Sequence, residues 1–233
     1  MELLDIAVAL LTLIALEVIL GIDNIIFISI ISDKLPEDQR DRLRYWGLGL
    51  AMVMRLALLT VISWIMKLQT TLFTVYQVEI SGKDIILILG GIFLIVKSTR
   101  EIYENTEEHA ANIRAGGKKP TFKNLLIEVL LLDMVFSIDS IITAVGLVDQ
   151  LWIMYTAVII TVLIMLVASG PISRFITKHP SFKILALCFL MMIGVALVAE
   201  GLDFKIPKGY IYFSMAFAFI VDIIQMKTIK PRT

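Results

Sequence analysis

This chain of 233 residues is poor in the residues that build disulfides and soft metal sites. It contains one cysteine, Cys188, and two histidines, His109 and His179. A single cysteine excludes an internal disulfide, and we expect it to be a packed core thiol. Basic and acidic residues number 21 each. Because the net charge is zero, composition gives no electrostatic reason to expect a nucleic-acid partner.

Apolar residues are in excess. Hydrophobic residues make up 58% of the chain and the mean hydropathy is +0.89, whereas an ordinary soluble domain is about 45–50% apolar. A membrane-spanning helix needs about 20 mostly apolar residues. The predicted spans are 4–30, 45–66, 85–99, 124–148, 152–175, 183–202 and 209–226. The predicted fold class is therefore all-α, a polytopic membrane protein with seven transmembrane helices in the lipid bilayer of the inner (plasma) membrane.

Basic residues between these spans predict the orientation, because Lys and Arg are retained on the cytoplasmic side. Sixteen of them lie after the first, third and fifth spans and in the C-terminal tail, against four in the other connections. The N-terminus is predicted to lie outside and the C-terminus in the cytoplasm.

Two segments resemble each other, LEVILGIDNIIF (16–27) and LDMVFSIDSIIT (132–143). Three spans separate them, so they cross the bilayer in opposite directions. Such inverted-topology repeats build many secondary transporters, with the binding site near the bilayer midplane. We divide the single transmembrane domain, 1–233, accordingly. Its parts are repeat one (1–105), a cytoplasmic linker (106–123), repeat two (124–203) and an extra helix (209–226).

Each segment carries two acids, which are Glu17 and Asp23 in the first and Asp133 and Asp139 in the second. Ionisable groups inside a membrane are costly and mark ion or substrate pathways. Four carboxylates at one depth repel each other and need a cation, protons or a base. Arg55 is the only base deep inside a predicted span. We expect it to be a structural counter-charge that leaves room for a divalent cation.

Helical geometry limits how these acids can act together. At about 100° per residue, Glu17 and Asn24 share nearly one face, while Asp23 lies about 120° from Glu17. One regular helix cannot direct both acids at a single ion. We therefore expect the helices to unwind near Gly21 and Ser137, which stand between the paired acids.

A purely structural interpretation is that Asp23–Asn24 and Asp139–Ser140 only cap kinked helices. This interpretation leaves the second acid of each pair unexplained. Further acids near predicted span ends are Glu200, Asp222 and Glu128. We expect Glu200 and Asp222 to snorkel to the interface and assign none of the three to the site.

Carboxylates, amides and hydroxyls favour Mn²⁺, Mg²⁺ or Ca²⁺ over Cu⁺ or Zn²⁺. The candidate ligands are Glu17, Asp23, Asn24, Asp133, Asp139 and Ser140, with Gly21, Ser137 and Arg55 in support. The metal, Mn²⁺ or Ca²⁺, is expected as the transported ion. Neither a permanent cofactor nor a catalytic residue is expected.

The two acidic segments resemble the TerC family of integral membrane proteins, and so do the segments ISDKLPEDQRDRLRYWGL, ITAVGLV, LVAEGL and IPKGYIYF. The resemblance covers residues 10 to 226 and is closest to short bacterial members without extra cytosolic domains. It implies a seven-helix fold related to the LysE exporter superfamily, and export of metal cations, Mn²⁺ above all. It assigns the metal site to Glu17, Asp23, Asn24, Asp133 and Asp139. Gly21 stands where many relatives have serine, and Ser140 varies among them.

We thus predict a secondary transporter rather than an enzyme. The chain has no G-x-x-x-x-G-K-[ST] phosphate loop. Exporting a divalent cation against 100 mV costs about 4–5 kcal/mol, so we expect protons as the counter-ion. The alternatives are a Ca²⁺/H⁺ exchanger of the same architecture, an aspartyl intramembrane protease using Asp23 and Asp139, or a membrane assembly partner without transport activity. A homo-oligomer is left open.

Overall fold

The computed structural model describes residues 3–61, 70–75, 78–111, 120–148, 150–204 and 206–228. This part of the chain is nearly all helical. Its helices are α1 (Leu3–Ser32), α2 (Glu37–Thr60), α3 (Gly82–Ala111), α4 (Phe122–Leu147), α5 (Leu151–Lys178), α6 (Pro180–Gly201) and α7 (Lys208–Thr228). Two short strands, β1 (Thr71–Val75) and β2 (Val78–Ser81), pair antiparallel just before α3.

The all-α prediction missed this short β-hairpin. Its strands, TLFTV and VEIS, are rich in β-branched residues, which favour extended backbone. Helix α3 continues to Ala111, so the start of the predicted linker 106–123 is helical. Residues 112–119 of that linker lie outside the described residues, as does the end of the predicted span 45–66.

Five of the described helices are long and apolar enough to cross a membrane, namely α1, α2, α5, α6 and α7. A multi-pass arrangement is thereby confirmed. Helices α3 and α4 are not among the five. Both carry charged residues along their apolar stretches, such as Lys97 in α3 and Asp133 in α4. A total of seven spans and the orientation stay predictions.

The helices pack in a crossed order: α1 lies along α5, α2 contacts α4 and α5, and α3 lies along α6. Glycine permits the closest of these approaches. A Cβ atom on Gly91 of α3 would lie 2.5 Å from the carbonyl oxygen of Gly194 on α6. A Cβ on Gly194 would lie 2.8 Å from the Gly91 carbonyl oxygen. Small residues at such crossings are typical of helix packing in membranes.

The surface of α6 and α7 is apolar. Helix α7 exposes Tyr210, Phe213 and Phe217, and Cys188 of α6 is also exposed. The expectation that Cys188 is a packed core thiol is wrong, because α7 does not cover it. Lipid, rather than protein, can provide the apolar surroundings that its position in an apolar helix suggests.

Candidate functional site

Arg55 on α2 lies at the first of two polar centres between the helices. Its Nη1 donates to Glu17 Oε2 at 2.6 Å and its Nη2 donates to Asp133 Oδ1 at 2.6 Å. Its Nε lies 3.2 Å from both carboxylate oxygens of Asp133. All three residues are at most 5% exposed. Arg55 thus joins α1, α2 and α4 and is the counter-charge of both acids, whereas the predicted room for a divalent cation beside it stays a prediction.

Neighbouring polar groups complete the surroundings of Asp133. Asn24 donates from Nδ2 to Asp133 Oδ1 at 3.1 Å, and Ser137 donates from Oγ to Asp133 Oδ2 at 3.1 Å. The hydroxyl of Ser140 donates to the Ser137 carbonyl oxygen at 3.3 Å, within its own helix. Asn24 and Ser137 therefore orient the Asp133 carboxylate toward Arg55.

Asp23 and Asp139 lie elsewhere, in the wall of a cavity of about 30 Å³ between α1, α4, α6 and α7. Glu200 and Tyr212 line the same cavity. The remaining walls are apolar and comprise Leu20, Phe136, Ile193, Ala196, Leu197, Ile206 and Ile211. A cavity needs about 10–15 Å³ to hold one water. This one can admit a water or a small cation beside three carboxylates.

Lys83, in the first turn of α3, reaches two of these carboxylates. Its Nζ lies 3.0 Å from Glu200 Oε1 and 3.7 Å from Asp139 Oδ1. Glu200, which the sequence analysis did not assign to the site, lines the cavity and binds Lys83. The sequence feature that could have indicated Glu200 is an acid near the end of an apolar helix, in the segment LVAEGL. No pattern connected Lys83 with either acid.

Helical periodicity explains why the acids separate into two groups. Both α1 and α4 are continuous helices through Gly21 and Ser137, so the predicted unwinding is wrong. In each continuous helix, acids six residues apart therefore point about 120° away from each other. The first acid of each pair consequently meets Arg55 and the second lines the cavity. Gly21 instead permits close packing, since a Cβ there would collide with the Met165 sulfur of α5.

The described residues contain no group of three or more His, Cys, Asp and Glu side chains arranged to hold a metal ion. The positions of two cationic side chains account for this. Arg55 binds Glu17 and Asp133, and Lys83 binds Glu200 beside Asp139. The carboxylates lie in two groups, and neither group forms a ligand shell in the part of the chain that the structure describes.

These features define a multi-pass helical membrane protein with carboxylates buried between its helices. The family model described as "Integral membrane protein TerC family" matches residues 3–232, and the chain belongs to this family. It is 50% identical to a UPF0053 protein of Haemophilus influenzae over 222 residues, which covers 94% of this chain and 93% of the relative.

Two Escherichia coli K12 proteins are similar to nearly the same degree. The UPF0053 inner membrane protein YgdQ is 48% identical over 92% of this chain and 90% of its own length. The UPF0053 inner membrane protein YoaE is 48% identical over 92% of this chain, which spans only 41% of YoaE. No solved structure matches. The resemblance to the TerC family and the predicted location, multi-pass in the inner membrane, are confirmed.

Proposed function

We propose that this protein is a secondary transporter that exports a divalent metal cation, with Mn²⁺ as the first candidate, in exchange for protons. One observation carries the proposal: Asp23 of α1 and Asp139 of α4 line the same small, apolar-walled cavity. Burying an acid inside a membrane protein costs free energy, and such acids usually mark an ion or substrate pathway.

The chemistry of the cavity favours a hard, divalent ion. Its polar side chains are the carboxylates of Asp23, Asp139 and Glu200 and the hydroxyl of Tyr212. Oxygen ligands of this kind suit Mn²⁺, Mg²⁺ and Ca²⁺. Counted formally, the three carboxylates and Lys83 sum to a charge of −2, which matches a divalent cation.

An inverted repeat of α1–α3 and α4–α6, with α7 as the extra helix, is part of the proposal. The two copies use their acids equivalently, because Glu17 and Asp133 contact Arg55 while Asp23 and Asp139 line the cavity. The packing of α1 on α5 has its counterpart in the packing of α4 on α2. The third helix of each copy, α3 in one and α6 in the other, packs on its counterpart. A two-fold relation requires such pairs. The relation of the seven-helix fold to the LysE exporter superfamily, which the resemblance to the TerC family implies, is also part of the proposal.

The direction in which the cavity points supports an outward-directed conformation. Glu200 lies in the last turn of α6 and Ile206 precedes α7, and both line the cavity at the predicted outer side. On the predicted cytoplasmic side, Lys97 of α3 binds Glu128 of α4 at 2.8 Å. Export would need a second conformation in which this inner contact opens, as alternating access requires.

Transport by purified protein in liposomes containing a Mn²⁺-sensitive dye tests the proposal. Asp23→Asn and Asp139→Asn should each reduce the initial rate of Mn²⁺ uptake to background. Asp203→Asn, an exposed acid just after α6, is the control and should transport normally. Undiminished transport by the Asp23→Asn, Asp139→Asn double variant would overturn the proposal.

The same liposomes with a Ca²⁺ dye distinguish the Ca²⁺/H⁺ exchanger. The geometry favours neither an aspartyl intramembrane protease nor a membrane assembly partner. A cavity of about 30 Å³ has no room for a peptide beside Asp23 and Asp139. An assembly partner without transport activity gives no reason for three carboxylates around one cavity.

A further inference from the structure

Lys83 is held at the rim of the cavity by the start of α3. The backbone N–H and the hydroxyl of Ser81 donate to Asp84 Oδ2 at 2.8 Å and 2.6 Å. In return, the backbone N–H of Asp84 donates to Ser81 Oγ at 3.3 Å. This reciprocal contact closes the junction between β2 and α3. The junction fixes the backbone of Lys83, so that only its side chain can move between partners.

The ammonium group of Lys83 is shared unequally between two carboxylates. Its Nζ lies within hydrogen-bond distance of Glu200 Oε1, at 3.0 Å, but 3.7 Å from Asp139 Oδ1. The Asp139 side chain is 8% exposed and the Glu200 side chain 25%. Lys83 therefore acts on the more deeply buried carboxylate by charge, while its hydrogen bond is to the outer one.

We propose that Lys83 competes with the transported cation for Asp139, and that Glu200 is the site to which Lys83 retreats when the cation binds. This inference rests on the proposed transport function. A Lys ammonium is a compact charge on a flexible stem and suits such an exchange. The tethered charge weakens cation binding in the outward-directed conformation and thereby speeds release to the outside.

The roles of Lys83 and Glu200 predict opposite effects on affinity. Lys83→Gln removes the competitor and should lower the Kd for Mn²⁺ by roughly tenfold, because a nearby unit charge is removed. Its transport should show a lower KM together with a lower kcat, since release slows. Glu200→Gln removes the retreat site, so that Lys83 binds Asp139 more fully and the Kd for Mn²⁺ should rise. Lys83→Arg keeps the charge and should stay near the wild-type Kd.

Titration of the purified full-length protein with Mn²⁺, followed by electron paramagnetic resonance of the free ion, measures these Kd values without transport. Lys178→Gln is the matched control, since it removes an exposed lysine in the last turn of α5, a helix that does not line the cavity. Its Kd should not change.

The outcomes separate this inference from the proposed function. Wild-type protein that binds no Mn²⁺ would refute the transport proposal. Wild-type protein that binds Mn²⁺ while Lys83→Gln and Glu200→Gln shift the Kd in the same direction would refute the role of Lys83 alone. A purely structural role of Lys83 predicts that both variants bind more weakly.

Discussion

Arg55 of α2 holds Asp133 of α4 through two of its nitrogens, with Nη2 at 2.6 Å and Nε at 3.2 Å from Asp133 Oδ1. The remaining nitrogen, Nη1, binds Glu17 of α1. One base thus serves two acids on helices that lie far apart in sequence. Asp23 and Asp139, the other acid of each pair, line the cavity.

Replacement of Arg55 should therefore damage the fold more than the cavity. Arg55→Gln leaves two buried carboxylates uncompensated, and removing one partner of a buried ion pair costs about 3–5 kcal/mol. Arg55→Lys keeps the charge but loses the planar fork and should be intermediate. Thermal unfolding of detergent-purified protein measures both. A variant that combines Arg55→Gln with Glu17→Gln and Asp133→Asn should recover part of the loss. Wild-type stability in Arg55→Gln would contradict the structural role.

The close contact between α3 and α6 predicts that one added methyl group at Gly91 lowers the stability of the fold. In Gly91→Ala the new Cβ meets the backbone of Gly194, which cannot move aside like a flexible side chain. A loss of about 1–3 kcal/mol is expected for such overpacking. Gly49→Ala in α2 is the control, because no atom lies within 4 Å of the added Cβ. Its stability should be unchanged or up to about 1 kcal/mol higher. Equal unfolding temperatures for the two variants would argue against the close crossing.

The orientation can be tested with single cysteines in a Cys188→Ser background. Leu72 in β1 and Asp38 near the start of α2 are both exposed and lie on opposite sides in the predicted topology. With a membrane-impermeant maleimide on intact spheroplasts, Leu72→Cys should be labelled and Asp38→Cys should not. Lysis should make both reactive. The reverse pattern in intact spheroplasts would require the opposite orientation.

Lys34, just after α1, forms ion pairs with Glu101 and Glu104 of α3. Burial lowers the pKa of Lys34, but both carboxylates together raise it above its ordinary 10.5. Burial raises the pKa of Glu104, but Lys34 and Arg100 together hold it below its ordinary 4.5. The Lys34 contribution is complete below pH 10.5 and is lost above it. The Glu104 contribution is complete above pH 4.5 and is lost as the pH falls below it.

Lys34→Gln should consequently lower the unfolding temperature by a constant amount between about pH 5.5 and 9. The difference from wild type should shrink below pH 4.5, where Glu104 becomes protonated. Differential scanning fluorimetry of wild type and variant, from about pH 9 to below pH 4.5, measures the effect. Lys178→Gln, which removes an exposed lysine in the last turn of α5, is the control, and its difference from wild type should be the same at acidic and neutral pH. A difference that grows in acid would contradict the ion-pair assignment.

Local pattern alone determined a large part of this protein. Apolar segments located the helices, because burial in lipid demands long apolar runs. The spacing of Glu17 and Asp23 determined that they point in different directions, and Arg55 stood out as a base within an apolar helix. These features depend on one helix at a time, and the sequence contains everything needed to predict them.

The tertiary structure decided which of these groups meet. It placed Glu17 and Asp133 on Arg55, and Asp23 and Asp139 at the cavity, whereas the sequence pattern predicts unwound helices that bring all four acids together. It also brought Lys83, in the first turn of α3, and Glu200, in the last turn of α6, together at the site. Periodicity fixes the direction of a side chain from its own helix. Its partner, however, depends on how neighbouring helices pack, and packing is set by contacts between residues distant in sequence, such as Gly91 and Gly194.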